Sequence, residues 1–240
     1  MDRTISFRVY GDRALFSDPV TRVGGEKSSY HIPTYQALKG ITESIYWKPT
    51  IIWKIEKFRV MNRIRTETLG VRPIRYASNR YASNSNDLAY YTYLRDVCYE
   101  VIAKFDWNEL RPDLKQDWNF NKHLSIINRS LEKGGRRDIF LGARECQAYV
   151  EPCVFGEKKG AYDEIEELDL GFMFHSFIYP DEAFDSESYD HLSVSFWKAV
   201  MRRGIIEFPE RKELKFRRQI YEMKAKTFVE HQNFQFLGGE

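Results

Sequence analysis

The sequence predicts an α+β protein whose larger part is a four-stranded antiparallel sheet covered by two helices. Two segments carry apolar residues at helical spacing, and β-rich segments flank each of them. The resulting order, β-α-β-(insertion)-β-α-β, is the split βαβ pattern of ferredoxin-like (RRM-like) domains. We expect this domain to span residues 1–151, with a basic hairpin insertion at about 66–88. The pattern changes after Pro152, and residues 152–240 predict a small, mainly β C-terminal subdomain.

The first strand and the first helix are predicted in the N-terminal 50 residues. Residues 5–10 alternate between apolar and polar side chains and predict a strand, and the polar residues 11–29 predict a long loop. Pro33 is expected to open a helix, because proline is favoured at the first helical position. Apolar residues at helical spacing follow, and Pro49 ends the helix. Its last turn is expected to carry Tyr46, Trp47 and Lys48.

A strongly basic strand and a polar insertion come next. Residues 51–65 are β-rich, and Lys54, Lys57, Arg59, Arg63 and Arg65 fill most of their polar positions. Residues 66–87 are rich in Gly, Pro, Asn and Ser and contain the near-repeat RYASNRYASN. They predict an exposed hairpin or a flexible insertion that is basic enough to contact phosphate. Residues 90–103 return as a strand.

The stretch of residues 119–146 begins with a second predicted helix, which combines an apolar face with titratable side chains. Its apolar face is formed by Phe120, Leu124, Ile127 and Leu131. Lys122 and His123 are in its first turn, roughly 100° apart around the axis. Gly134 and Gly135 end the helix, either as a C-cap or as amides that contact a phosphate together with Arg136 and Arg137. Residues 138–150 then predict one strand.

Charge is unevenly distributed, although the formal net charge is only +2. Residues 48–80 contain nine Lys or Arg and two Glu, whereas residues 157–190 contain eleven Asp or Glu and two Lys. This asymmetry predicts separate surfaces for separate partners, one of them a polyanion, although charge runs are more often simply solvated faces. The acidic residues are a candidate docking surface for a basic partner subunit. In the C-terminal part, residues 168–179 and 192–208 predict strands, or a strand and a helix, and the basic residues 211–226 a strand or helix on the surface.

Several classes of protein are disfavoured by what the sequence does not contain. There is no GxSxG, GxxxxGK[ST] or GxGxxG motif, and the five histidines do not fall at metal-ligand spacing. The three cysteines are widely spaced, which argues against a disulfide framework or a zinc site. No apolar run approaches 18 residues. We therefore expect a cytoplasmic protein without a cofactor, a metal or a membrane contact.

The candidate catalytic residues are suited to cutting RNA without a metal. The 2′-hydroxyl of RNA can attack the adjacent phosphate and leave a cyclic phosphate and a 5′-hydroxyl, provided that the protein supplies a base, an acid and a cation. Tyr46, Lys122 and His123 offer these groups, and in a split βαβ fold the end of the first helix can approach the start of the second. Each also has a plainer interpretation, as a core tyrosine, a solvated lysine and a packing or capping histidine.

Several segments together resemble a known family. They are residues 32–49 (IPTYQALKGITESIYWKP), the basic strand, residues 121–146 (NKHLSIINRSLEKGGRRDIFLGAREC) and the DLGFMF strand. In their order and spacing, they resemble the CRISPR-associated Cas-five family, subtype d, of type I-C systems, within the RAMP superfamily. The resemblance matches the catalytic tyrosine of that family to Tyr46 and its Lys-His pair to Lys122 and His123. It also implies an RRM-like domain with a protruding hairpin and a small C-terminal sheet domain.

The resemblance implies an endoribonuclease and a set of partners. Such an enzyme cuts the CRISPR repeat hairpin of pre-crRNA at the 3′ base of the stem, without a metal. It then stays on the crRNA 5′ handle as a subunit of the surveillance complex (Cascade), beside the backbone and large subunits. The alternative is a non-catalytic scaffold that only holds the handle. Weak DNA binding is compatible with the same basic surface. We expect the RNA to contact Lys48, Lys57, Arg59, Arg63, Arg65, Gly134, Gly135, Arg136 and Arg137.

Overall fold

Eleven strands and two α-helices make up the regular structure of residues 3–22, 26–72 and 88–225, which the computed structural model describes. The helices are α1 (Tyr35–Ile45) and α2 (Phe120–Glu132). The strands are β1 (Thr4–Ala14), β2 (Lys27–Ser28), β3 (Ile51–Val60), β4 (Thr66–Val71), β5 (Ala89–Trp107), β6 (Ile139–Phe140), β7 (Gln147–Pro152), β8 (Leu168–Ile178), β9 (His191–Met201), β10 (Ile205–Glu207) and β11 (Phe216–Glu222).

The strands form two mostly antiparallel sheets. In the main sheet they lie in the order β10-β3-β5-β1-β7-β6, and β2 and β4 also pair with β5. The only parallel pair among the described strands is β2 with β5. The second sheet has three strands in the order β11-β9-β8. The predicted combination of helices with mostly antiparallel sheets is therefore confirmed.

Side-chain caps fix where both helices begin. The Thr34 hydroxyl accepts a hydrogen bond from the Ala37 amide at 3.1 Å, and the Asn119 side chain accepts one from the Lys122 amide at 3.1 Å. Pro33 therefore precedes the N-cap. The sequence had suggested instead that Pro33 is the first helical residue. The first helix also ends earlier than expected, because Tyr46 is its C-cap, with an extended backbone (φ −158°). Tyr46, Trp47 and Lys48 thus follow the helix.

One hydrophobic core joins the helices to the main sheet. It contains Phe7 of β1 and Phe105 of β5, together with Leu38 of α1 and Ile127 of α2, and all four side chains are fully buried. Burying one such side chain contributes about 1.5–3 kcal/mol. Because isolated helices of this length are marginal in water, packing on the sheet is what stabilises α1 and α2.

The segment that was predicted as one strand at 138–150 is a hairpin. β6 and β7 pair with each other, and a turn that includes Gly142 connects them. Gly142 has φ +89°, and a Cβ atom there would lie 2.1 Å from the Leu15 carbonyl oxygen. Only glycine fits this position, so the chain reverses here and does not continue as a single strand.

The described part of the predicted insertion is also regular. β4 pairs with the first residues of β5, so residues 66–71 belong to the main sheet. The near-repeat RYASNRYASN lies in residues 73–87, outside the described residues. Two smaller differences concern the predicted N-terminal loop, since β1 continues to Ala14 and residues 27–28 form the short strand β2.

The C-terminal part is mainly β, but it is not confined to the second sheet. β8, β9 and β11 form that sheet, whereas β10 pairs with β3 and extends the main one. The division at residues 151 and 152 stays a prediction. The acidic loop before β9 is partly engaged within the protein, because Glu182 binds Lys39 of α1 at 2.6 Å and Arg211 at 2.8 Å. Burial alone would raise the pKa of Glu182, but these two cations lower it.

Candidate active site

Tyr46 lies at the junction of α1 and β3 and is fixed by its own backbone. Its amide donates to the Thr42 carbonyl at 3.1 Å, and its carbonyl accepts from the Trp53 indole at 2.7 Å. The side chain is fully buried. Burial and the nearby Asp117 carboxylate raise the pKa of Tyr46, although Arg136 opposes them. The phenol is therefore held as a neutral hydrogen-bond donor.

The Tyr46 hydroxyl contacts the His123 ring, although the two residues are 77 positions apart in the chain. The oxygen is 2.8 Å from His123 Nδ1, and the other ring nitrogen, Nε2, is 2.8 Å from the Asp117 carbonyl oxygen. A carbonyl can only accept, so Nε2 carries a proton. In the neutral ring, Nδ1 then accepts from Tyr46. The geometry thus excludes the neutral tautomer with its proton on Nδ1.

The backbone next to Tyr46 contacts the second half of α2 and not its first turn. The Ile45 carbonyl accepts a hydrogen bond from Ser130 in the second half of that helix, whereas His123 is in its first turn, about 10 Å away along the axis. The backbone at the end of α1 therefore lies against the second half of α2. The sequence had suggested that it would approach the start of α2. Trp107 packs edge-on against His123, with ring centroids 5.5 Å apart, and the imidazole is 0% exposed.

The Asp117 carboxylate is surrounded by cations and a hydroxyl beside His123. Lys122 Nζ is 2.6 Å from Oδ1, and Thr50 donates to Oδ2 at 2.8 Å. Lys48 Nζ is 3.7 Å and His123 Nε2 is 3.5 Å from the same Oδ2. Partial burial opposes ionisation, but the hydrogen bonds from Lys122 and Thr50 hold the pKa of Asp117 below its usual value. Lys122 is thus linked to His123 through Asp117.

The turn after α2 is a helix C-cap. The Gly135 amide donates to the Ser130 carbonyl at 2.8 Å and the Gly134 amide to Leu131 at 3.0 Å, which is the Schellman motif. The next two amides, of Arg136 and Arg137, both donate to one carbonyl of α1 at 3.1 Å. The expectation that the Gly134 and Gly135 amides contact a phosphate is therefore corrected, because both amides already donate to carbonyl groups of α2.

In this turn the side chains, and not the backbone amides, remain candidates for contact with RNA. Arg136 and Arg137 are exposed. The Arg136 guanidinium lies 5.0 Å from the centre of the Tyr46 ring and adds a positive charge to the site. Together with Lys48 and Lys122, it gives the buried pair of Tyr46 and His123 a basic surround.

The remaining predicted RNA contacts lie away from this site. β3 begins next to Lys48 and ends at Val60, roughly 30 Å away for a strand of this length. Lys57 lies over the Phe155 ring at 5.6 Å, and Arg63 is exposed. Arg65 is exposed and binds Asp96 at 2.9 Å.

Arg59 differs from its basic neighbours because its guanidinium is buried. It donates to Asp163 at 2.6 Å and to the Lys158 carbonyl at 2.9 Å, and it lies 3.9 Å from the buried Glu100 carboxylate. This ion-pair network is internal to the protein. The expectation that Arg59 contacts RNA is therefore corrected: in this structure Arg59 tethers the segment after β7 to the sheet.

Asp117, Thr50 and Trp118 were missed as parts of the site. Trp118 stacks on Trp107 with a centroid distance of 5.7 Å and an interplanar angle of 5°. One signal was present in the sequence, since Asp117 stands two residues before the N-cap of the helix that carries Lys122 and His123. Nothing in the sequence indicated that the same carboxylate would bind Thr50, 67 residues earlier.

The described residues offer neither a metal cluster nor a membrane-spanning helix. Within residues 3–22, 26–72 and 88–225, no group of three or more His, Cys, Asp or Glu side chains is placed to hold a metal ion. None of the helices described in that part of the chain is long and apolar enough to cross a membrane. Metal independence stays a prediction.

Comparison with known proteins identifies the family. Residues 4–209 match the Cas5d profile, described as CRISPR-associated protein (Cas_Cas5). Two curated relatives are named CRISPR pre-crRNA endoribonuclease Cas5d. One, from Mannheimia succiniciproducens, is 26% identical over 87% of this chain and 96% of its own length. The other, from Thermus thermophilus, is 28% identical over 87% of this chain and 92% of its own length.

Solved structures are also similar over most of the chain. A crystal structure of a CRISPR-associated protein has a TM-score of 0.74 at 38% identity and covers 90% of this chain and 97% of that one. The protein SMU1763c from Streptococcus mutans, described as functionally uncharacterized, has a TM-score of 0.73 at 41% identity, with the same coverage. Because the family profile matches 4–209 of 240 residues, this chain belongs to the CRISPR-associated Cas5 family, subtype d.

Proposed function

We propose that this chain is an endoribonuclease that cuts CRISPR repeat hairpins in pre-crRNA at the 3′ base of the stem. The observation that carries the proposal is the 2.8 Å contact between the Tyr46 hydroxyl and His123 Nδ1. It joins two chain-distant candidate residues, and Lys122 lies on the other side of the same ring through Asp117. The names of the two curated relatives support the same activity.

In the proposed mechanism the 2′-hydroxyl attacks the adjacent phosphorus and the 5′-oxygen leaves. The products are a 2′,3′-cyclic phosphate and a 5′-hydroxyl, and no metal takes part. His123 exchanges the proton through Nε2, the ring nitrogen on the side of the lysines, as general acid or base. When Nε2 is free of its proton, Nδ1 carries one and donates it to the Tyr46 oxygen, the reverse of the resting hydrogen bond. Tyr46 orients the ring through its hydrogen bond with Nδ1. The raised pKa of Tyr46 disfavours a phenolate, so the phenol stays neutral in this role. Lys122 stabilises the charge on the pentavalent phosphorus.

The proposal includes a fold assignment and an assembly. We assign residues 1–151 to the ferredoxin-like pattern, which is supported by the order β3-β5-β1-β7 and by α1 following β1 and α2 following β5. The repeat stem docks through phosphates on Lys57, Arg63 and Arg65, and the cut end lies near Arg136. The enzyme acts in the cytoplasm and stays on the crRNA 5′ handle as a subunit of the type I-C surveillance complex, beside the backbone and large subunits.

The test is cleavage of an end-labelled repeat RNA in excess EDTA, with the product ends identified chemically. We expect His123→Gln and Lys122→Ala to reduce cleavage by about 10²-fold or more. Lys133→Ala is the matched control, because Lys133 is an exposed lysine at the other end of α2. Full activity of both site variants would remove this assignment, and complete inhibition by EDTA would indicate a metal nuclease.

The second candidate function is a scaffold that holds the crRNA handle without cutting it. The observation in its favour is that Tyr46 and His123 are both 0% exposed, as structural residues are. A scaffold would bind the repeat RNA but give no 2′,3′-cyclic phosphate at any incubation time. Its site variants would then change the thermal stability of the protein and leave RNA processing unchanged.

A further inference from the structure

The environment of the Asp117 carboxylate resembles an occupied anion site. Two ammonium groups and one hydroxyl converge on it, from Lys48, Lys122 and Thr50. Lys48 and Thr50 lie in the connector between α1 and β3, and Lys122 lies in the first turn of α2, so two separate parts of the chain build the site. Charge-assisted hydrogen bonds of this kind hold carboxylates and phosphates alike.

In this conformation the candidate catalytic groups cannot reach a substrate. Tyr46 and His123 are both 0% exposed, and each ring nitrogen of His123 already has a partner. The partner on the substrate side is the Asp117 backbone carbonyl. Cleavage by His123 therefore requires that Asp117 leaves its present position.

The segment that carries Asp117 is suited to such a displacement. Residues Pro112–Asp117 form a short 3₁₀ helix, a geometry with poorer hydrogen bonds than an α-helix. None of these six side chains is buried. Trp118, which follows, packs on Trp107, yet its indole N–H is buried and has no hydrogen-bond partner among the described residues. A buried donor without an acceptor disfavours the closed arrangement.

We propose that the Asp117 carboxylate stands in the phosphate subsite of the enzyme, and that Thr50, Lys48 and Lys122 form this subsite. The scissile phosphate of RNA takes the place of the carboxylate when residues 112–118 move aside. The same movement withdraws the Asp117 carbonyl from His123 Nε2 and exposes the catalytic nitrogen. This inference rests on the proposed nuclease function, and it adds Thr50 as a phosphate-binding residue and Asp117 as a competing internal anion.

The first experiment measures binding of a repeat RNA with a 2′-deoxy nucleotide at the cleavage site, which prevents cutting. Asp117→Asn keeps the shape of the side chain and removes the competing charge, so we expect it to bind this RNA about tenfold more tightly than the wild type. Asp113→Asn is the matched control, because Asp113 belongs to the same segment but pairs with Arg111. Unchanged or weaker binding by Asp117→Asn would overturn the proposal and make Asp117 a positioning residue.

The second experiment separates the role of Thr50 from that of Asp117. Thr50→Val is introduced into the Asp117→Asn variant, and we expect it to weaken binding of the same RNA about fivefold if the hydroxyl contacts phosphate. No effect in that background would show that Thr50 only serves Asp117. Thermal unfolding of every variant identifies any loss of binding that comes from misfolding.

A readout without RNA tests the closed conformation. Diethyl pyrocarbonate modifies accessible histidines, and peptide mass spectrometry gives the rate at each one. We expect His123 in the wild type to react far more slowly than the exposed His31. Asp117→Asn should raise the rate at His123, and an unchanged rate would contradict the displacement. If the wild type gives no cyclic phosphate, the proposed function fails, but the binding and modification results still decide on Asp117.

Discussion

Replacing Tyr46 by phenylalanine removes one oxygen atom from the centre of the candidate active site. The atom lost is the donor to His123 Nδ1 at 2.8 Å, and both side chains are fully buried. Water cannot replace the donor without opening the site, so the ring nitrogen is left unpaired. Such a loss costs about 1–3 kcal/mol of unfolding free energy. The Tyr149→Phe control should change it by less than about 0.5 kcal/mol, because Tyr149 is 57% exposed.

The same substitution should affect catalysis more than RNA binding. Without Tyr46 the His123 ring loses the contact that sets its orientation, and we expect the single-turnover rate to fall by about 10²-fold. Affinity for the uncleavable repeat RNA should stay within about threefold, because the phenol lies beneath the basic surface and does not form part of it. Urea unfolding and single-turnover cleavage measure the two effects. A stable Tyr46→Phe variant with the wild-type rate would refute the role of the hydroxyl.

Three further predictions concern residues outside the catalytic pair. Burial lowers the pKa of His175 from 6.5 to about 3, so the unfolded chain takes up the proton at a higher pH than the folded protein does. The unfolding free energy should therefore fall as the pH drops from 6.5 towards 3. Urea titrations should show a smaller fall in the His175→Phe variant. Glu182→Gln breaks the pair with Lys39 and should reduce the unfolding free energy by about 3 kcal/mol. Arg59→Met removes the donor to Asp163 and to the Lys158 carbonyl and should destabilise the protein by about 1–3 kcal/mol, although the buried Glu100 keeps its ion pair with Arg8. The exposed Arg63→Met should instead weaken RNA binding and reduce its salt slope by about 1.

The parts of the fold that follow from local periodicity could be predicted from the sequence. Both helices have an apolar face at helical spacing, and the face that begins at Phe120 and the glycines at 134 and 135 predict α2 to within a residue or two of its bounds. The hairpin of β6 and β7 could not be predicted in this way. Its turn depends on the close approach of Gly142 to the Leu15 carbonyl, which is a tertiary contact.

The candidate site shows the same division. The nearness of Tyr46 to His123 could be anticipated, because the predicted order of strands and helices brings the end of α1 towards α2. The role of Asp117 could not, because it depends on three partners that are far apart in the chain or lie on different elements. Arg59 looked like its neighbours in the sequence. Its burial and its hydrogen bonds to Asp163 and the Lys158 carbonyl, which are about 100 residues away in the chain, make it a structural residue.

The helix α1, whose C-cap is Tyr46, is anchored near its middle and at its C-terminal end. Lys39 binds Glu182 from the loop before β9, and the Ser44 carbonyl accepts two amides from the turn after α2. Rotation of α1 would break both sets of contacts at once, so the tyrosine is a stationary reference within the site. In the proposed mechanism the movement that accompanies RNA binding is therefore confined to the opposite wall, residues 112–118, and the wall that carries Tyr46 stays in place.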